Sequence, residues 1–292
     1  MREDLSIAVA QPRCVAHDVA GNAVAHAEAV RAARARVVVF PEMSLTGYEL
    51  DAELIAPDDP RLQPIIEACA DTGSLALVGA PVPGPGNGPR DAPATGSQTR
   101  QVRQSRHDQH DQHDQHDQHD QHDQHDQHSR ASGEVPAGGP GIGVLAVDGG
   151  GARVAYTKVF LHGTEAERFA PGVPGVIEVD GWRLGLAVCR DTGIPEHAAL
   201  TAALGIDGYV AGVVHADHES EVHGDRARRV AADHGVWVAT AAFAGGTGGG
   251  FDRTSGRSAI WSADGLVIAE AGVAPDEVAR AVLSDRAGTG RG

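Results

Sequence analysis

The chain has 292 residues, 41% of them apolar, and a formal net charge of −16, of which seven charges are Asp residues of one repeat. The acidic remainder excludes a basic surface for nucleic acid or anionic lipid. No apolar run approaches the roughly 18 residues of a membrane span, and the opening MREDLSIAVAQ has too short an apolar stretch for a signal peptide; the expectation is a soluble, cytoplasmic protein.

Elements follow in chain order. LSIAVAQ (5–11) reads as a buried strand, and residues 19–35 place apolar side chains at helical spacing. RVVVFPE (36–42) reads as a second strand, 59–73 as a short helix closed by Gly73, and SLALVGAP (74–81) as a third strand. From 84 to 140 this rhythm stops. Gly/Pro/polar chemistry leads into a His-Asp-Gln repeat that runs from His107 to His128, with too little apolar surface to offset the entropy of ordering. The expectation is a disordered insertion within one domain spanning 1–292.

Beyond it, 141–158 reads as a strand pair around a Gly-rich turn, and 175–189 as a second pair turning at Asp180-Gly181. A helix over 195–205 has Pro195 in its first turn and Gly205 past its end. A strand through YVAGVV, a helix over 220–235, and strands at 236–245, 256–272 and 276–284 complete the chain. Alternating strands and helices with β-branched runs indicate an α/β architecture.

Three chemically complementary residues end predicted strands: Glu42, Lys158 and Cys189. Sites in α/β sheets gather at such ends. A thiol of ordinary pKa about 8.5 is mostly protonated at neutral pH and needs a base, which a carboxylate supplies. A tetrahedral oxyanion needs fixed donors, which a Lys and the backbone N–H of Arg190 supply. The bland alternative is a buried, inert Cys189, the reading adopted for Cys14 and Cys69. An odd cysteine count without CxxC spacing argues against disulfides and a zinc ribbon.

These residues sit in four ordered blocks: AVAQPRCVAHDVAGN with Gln11, Asp18 and Asn22; Phe40-Pro41-Glu42 followed by MSLTGY; YTKVFLHGTEAERFAPG; and Cys189-x-Asp191-x-x-x-Pro195-Glu196. Together they resemble the nitrilase (carbon–nitrogen hydrolase) superfamily over nearly the whole chain outside the insertion. The resemblance implies a four-layer αββα sandwich of the nitrilase type and a homodimer or higher homo-oligomer stacked helix against helix. It implies Glu42 as base, Lys158 as oxyanion stabiliser, Cys189 as nucleophile and Glu165 as a second acid orienting Lys158. No cofactor is implied. The chain departs from many relatives in carrying Arg190 after the cysteine and Gly193 four positions after it; the first change puts a cation beside the thiol and is expected to lower its pKa. His215 and Asp217, just past the YVAGVV strand, are candidate substrate contacts, with solvated loop residues as the alternative.

The expected activity is hydrolysis of a small linear amide through a cysteine thioester, with carbamoyl (ureido-acid) or nitrile hydrolysis as alternatives. A lipoprotein acyltransferase is disfavoured by the lack of spans, and a thiol protease by the lack of a recognisable Cys/His pair. A different class remains: a metal-binding or interaction protein using His107–His128. That tract offers eight His as divalent-metal ligands, but a uniform repeat lacks the fixed geometry of a site, so metal binding there is expected to be adventitious.

Overall fold

The computed structural model describes residues 2–84 and 138–284. The expected disordered insertion over 84–140 lies almost wholly outside the described residues. Among the described residues, fourteen strands and six α-helices run in the order β1 (Leu5–Gln11), α1 (Val19–Ala33), β2 (Val37–Val39), α2 (Gln63–Thr72), β3 (Leu75–Val82), β4 (Gly141–Asp148), β5 (Gly151–Thr157), α3 (Gly163–Ala166), β6 (Gly175–Val179), β7 (Trp182–Val188), α4 (Arg190–Gly193), α5 (Pro195–Ala202), β8 (Gly208–Val213), α6 (Val222–His234), β9 (Trp237–Ala242), β10 (Ala244–Gly245), β11 (Thr254–Ser255), β12 (Ala259–Trp261), β13 (Val267–Glu270) and β14 (Glu277–Leu283).

One six-stranded sheet has the order β14-β1-β2-β3-β4-β5, and the other the order β13-β12-β9-β8-β7-β6. In each, a parallel centre is flanked by antiparallel strands: β1-β2-β3 in the first and β7-β8-β9 in the second. The period-2 alternation of β1 explains the layering. Leu5, Ile7 and Val9 enter the core between the sheets, while Ala8 and Ala10 face α1 and α2 on the outer side. With both faces covered, central strands read as continuous apolar runs. On the far side, Ala227, Val230 and Ala231 of α6 pack with the second sheet. The layers are therefore helix, sheet, sheet, helix, the expected αββα sandwich.

Helix ends follow local chemistry. The Asp18 side chain accepts from Gly21 N at 2.9 Å, relieving one unpaired donor of the first turn of α1. Gly73 and Gly235 end α2 and α6 in the left-handed region, which costs a residue without Cβ little. Two expectations change in extent. The strand expected over 36–42 pairs only over Val37–Val39, because Phe40–Glu42 leave the sheet to form a loop at its edge. The helix expected over 59–73 begins as a 3-10 turn at Pro60–Leu62 before the α-helix takes over. The short helices α3 and α4 lie where the sequence reading placed none.

Candidate active site

Glu42 lies in the loop after β2, three residues beyond Val39, and that loop is pinned from both sheets. A Cβ on Gly79 of β3 would strike Pro41 O and Met43 N, and one on Gly212 of β8 would lie 2.5 Å from Phe40 O and 2.8 Å from Glu42 N. Only glycine leaves room for the Phe40–Met43 backbone between the sheets.

Lys158 follows β5 and is fully buried. Its Nζ donates to Glu42 Oε1 at 2.7 Å and to Glu165 Oε1 at 2.7 Å. Glu165 is set by its own helix: its Oε2 accepts from the His162 backbone N–H at 2.8 Å, one arm of a capping box at the start of α3. Both Glu165 oxygens are thus spoken for, and Lys158 is held between two carboxylates. Burial pulls the Lys158 pKa down, but the negative charges of Glu42, Cys189 and Glu165 outweigh it, and the ammonium is held above its ordinary value.

Glu42 behaves differently. Desolvation pushes its pKa from an ordinary 4.5 to about 7, against the opposing charge of Lys158. Its second oxygen, Oε2, is buried without a hydrogen-bond partner among the described residues. A carboxylate with one anchored and one vacant oxygen, poised near neutrality, suits proton transfer.

Cys189 is the first residue after β7, with φ 39° and ψ −95°, outside the regions open to an ordinary L-residue. The backbone reverses there, between strand and helix α4, as in a strained nucleophile turn. Cys189 N donates to Gly212 O at 2.9 Å, and the Thr192 hydroxyl closes the turn onto Cys189 O at 2.7 Å. Cys189 is only 6% exposed, and its sulfur lies 3.5 Å from Val214 O. Burial and the Glu42 charge push the thiol up to about 12. The expected lowering by Arg190 is therefore corrected: its guanidinium turns to His162 Nδ1 at 2.8 Å, and burial dominates the thiol.

Asp191 unites the loops, a part the sequence reading did not give it. Its Oδ1 accepts from Val159 N at 3.2 Å and Phe160 N at 2.8 Å, just beyond Lys158. Its Oδ2 accepts from Val188 N at 3.0 Å and the Tyr156 hydroxyl at 2.7 Å. One buried carboxylate thereby fixes the turn of Cys189 against the segment of Lys158. Its place in the Cys189-x-Asp191 block was the available signal. Gly79 and Gly212 gave no signal, since a close backbone approach across two sheets has no local signature.

His215 is 5% exposed, next to Val214, and neither ring nitrogen has a hydrogen-bond partner among the described residues. Asp217 instead reaches Arg253 at 3.0 Å from an exposed 3-10 turn, the solvated alternative. Gln11 and Asn22 are structural. Gln11 bonds Gly272 O, Ala274 O and Ser258 N, joining β1 to the far sheet, and Asn22 holds Val15 and Leu45. Cys14 and Cys69 are buried with pKa values raised mainly by desolvation, as inert thiols should be.

A family model described as carbon–nitrogen hydrolase matches residues 6–93 and 143–289. The chain belongs to the carbon–nitrogen hydrolase family. Solved structures of nitrilase-superfamily members share the fold of this hydrolase. A Cys-to-Ala variant of the amidase from Nesterenkonia sp. AN1, in complex with butyramide, matches with TM-score 0.68 at 22% identity, over 96% of this chain and 90% of that one. A Glu-to-Gln variant of that amidase, with acrylamide added at its active-site cysteine, matches with TM-score 0.67 at 21% identity, over 97% and 94%. Nit3 of Saccharomyces cerevisiae, a member of branch 10 of the nitrilase superfamily, matches with TM-score 0.68 at 18% identity, over 96% and 90%. A search of curated proteins gave no match. Among the described residues of the hydrolase, no helix is long and apolar enough to cross a membrane.

Proposed function

We propose that this carbon–nitrogen hydrolase cleaves a small linear amide through a thioester on Cys189. The observation that carries the reading is the buried Lys158 ammonium, 2.7 Å from both Glu42 and Glu165, with a buried cysteine on a strained turn close enough to feel the charges of Glu42 and Lys158. The neighbouring amidase with acrylamide on its cysteine and the one with bound butyramide support the choice of nucleophile and bond.

Glu42 takes the Cys189 proton as sulfur attacks the carbonyl carbon. Lys158 Nζ and the Arg190 N–H stabilise the oxyanion, and Glu165 keeps Nζ aimed. Protonated Glu42 then gives its proton to the departing nitrogen, so ammonia or an amine leaves and the thioester remains. Water attacks next, losing its proton to Glu42. The acid departs, and the proton returns to sulfur. His215 lines the substrate side. Each step uses groups of the chain itself. Residues 1–292 act as one hydrolase domain, its buried free thiols suit a reducing cytoplasm, and the exposed Leu200 of α5 and Leu204 just past its end suit a helix-to-helix homodimer.

The test is ammonia release from small amides, ureido acids and nitriles, with the Cys189→Ala background subtracted. Release from amides that vanishes in the variant supports the reading. Release that persists in Cys189→Ala removes the thioester.

A further inference from the structure

Helix α6 lays one face across the strand ends that carry Cys189 and His215. From this face Arg229 Nη2 donates to Thr192 O and Gly193 O, each at 3.0 Å, bracing the turn that follows Cys189. One turn earlier, Arg226 rests on Gly193: a Cβ there would lie 2.9 Å from its Cζ. The absent side chain at 193 is what lets the guanidinium settle over the nucleophile turn. One further turn back, His223 stacks on His215 with ring centroids 5.7 Å apart and planes at 25°.

Arg226 has no hydrogen bond or ion pair among the described residues. Three acids of the same region are engaged elsewhere: Asp225 with Arg228 at 2.8 Å, Glu221 with Arg257 at 3.3 Å, and Asp217 with Arg253 at 3.0 Å. Beside it stand three buried ring nitrogens without partners, both of His215 and Nδ1 of His223. Buried polar groups are nearly always satisfied by protein, water or ligand, so three such nitrogens side by side point to a polar binding space. The charge of Arg226 reaches both ends of this space. It lowers the pKa of His215, after burial and His223, and it opposes the rise of Cys189.

We infer that Arg226, with His215 beside it, forms an anion subsite, and that the preferred substrate is a small amide carrying a carboxylate on its acyl side. A guanidinium fork matches a carboxylate in two parallel hydrogen bonds, and a half-buried position strengthens them. His215, held neutral, has a donor and an acceptor for the same end of the molecule. Substrate class here rests on the hydrolase reading above, but the subsite itself does not require turnover.

The test is therefore made first without turnover. Cys189 of the full-length protein is alkylated with iodoacetate or iodoacetamide at equal concentration, followed by peptide mass. Simple thiols prefer the neutral reagent. Iodoacetate is expected to react about tenfold faster than iodoacetamide here, and Arg226→Gln should reverse that order. Added salt should slow the iodoacetate reaction of the wild type, a readout that stands even where the variant fails to fold. Faster reaction of iodoacetamide with the wild type overturns the subsite. Succinamate and butyramide are then compared as substrates. A kcat/KM ratio favouring succinamate that falls at least roughly tenfold in Arg226→Gln, through KM, supports the substrate class. Equal or better turnover of butyramide by the wild type overturns it while leaving the hydrolase intact. Iodoacetate preference with no Cys189-dependent ammonia from either amide sinks the small-amide reading and keeps the subsite.

Discussion

At the scale of single residues, the site separates two carboxylates that the sequence alone makes look alike. Glu165 is anchored through both oxygens, whereas Glu42 keeps one oxygen vacant and sits near neutrality. If Glu42 is the base, kcat/KM should rise with pH through a midpoint near 7, because its protonated form below that pH cannot accept from sulfur. The Cys189 thiol, pushed up to about 12, adds no competing limb in this range. Glu42→Gln should lower kcat by about 10²–10⁴ and abolish the acid limb; a retained limb would assign it elsewhere. Stability should run the other way. A carboxyl whose folded pKa is raised stabilises the protein fully below its unfolded value and loses that contribution as pH rises through about 7. The Tm of the wild type should therefore fall relative to Glu42→Gln between pH 5 and 8. Cys189→Ala should remove turnover while thermal unfolding stays cooperative.

At the scale of elements, catalysis depends on how loops at strand ends are held. Gly212→Ala is expected to reduce kcat/KM by at least roughly tenfold with unchanged far-UV circular dichroism. Its methyl meets backbone atoms of Phe40 and Glu42, which cannot rotate away as a side chain could, and small misplacements cost rate steeply. Asp191→Asn tests the hub between β7 and β5. An amide cannot accept three backbone N–H groups and a tyrosine hydroxyl, so one NH₂ would face donors. The expected loss is about 2–4 kcal/mol, or roughly 4–16 °C in Tm, read by calorimetry. Alkylation of Cys189 should change with it, since the same contacts set the turn. An unchanged Tm would remove Asp191 from this role.

At the scale of the whole molecule, the sandwich is closed around the two edges of the insertion. Val82 and Gly141 are register partners on β3 and β4, and Gly84 approaches Gly138 so closely that a Cβ would strike its carbonyl. The chain thus leaves and re-enters at one hairpin end. Replacing residues 85–137 by a turn of about three residues should leave Tm within a few degrees and kcat unchanged. Loss of activity on this replacement would give the histidine tract a part in function.

Much of this was legible in the amino-acid order. Apolar runs such as LSIAVAQ and RLGLAV mark strands buried on both faces, and Gly73 and Gly235 mark helix ends, because these signals are local. The ordered blocks around Glu42, Lys158 and Cys189 pointed to the family and to a candidate site, because loops at strand ends are where an α/β fold can carry one. Three things were decided by tertiary structure. Gly79 and Gly212 come from different sheets to hold one loop; Asp191 ties segments about thirty residues apart; and Arg226 reaches the turn after Cys189 from a helix more than thirty residues later in the chain. The physical reason is range. Periodicity and capping act within a few residues, whereas burial, and with it the raised pKa values of Glu42 and Cys189, exists only once two sheets have closed over the groups and expelled water.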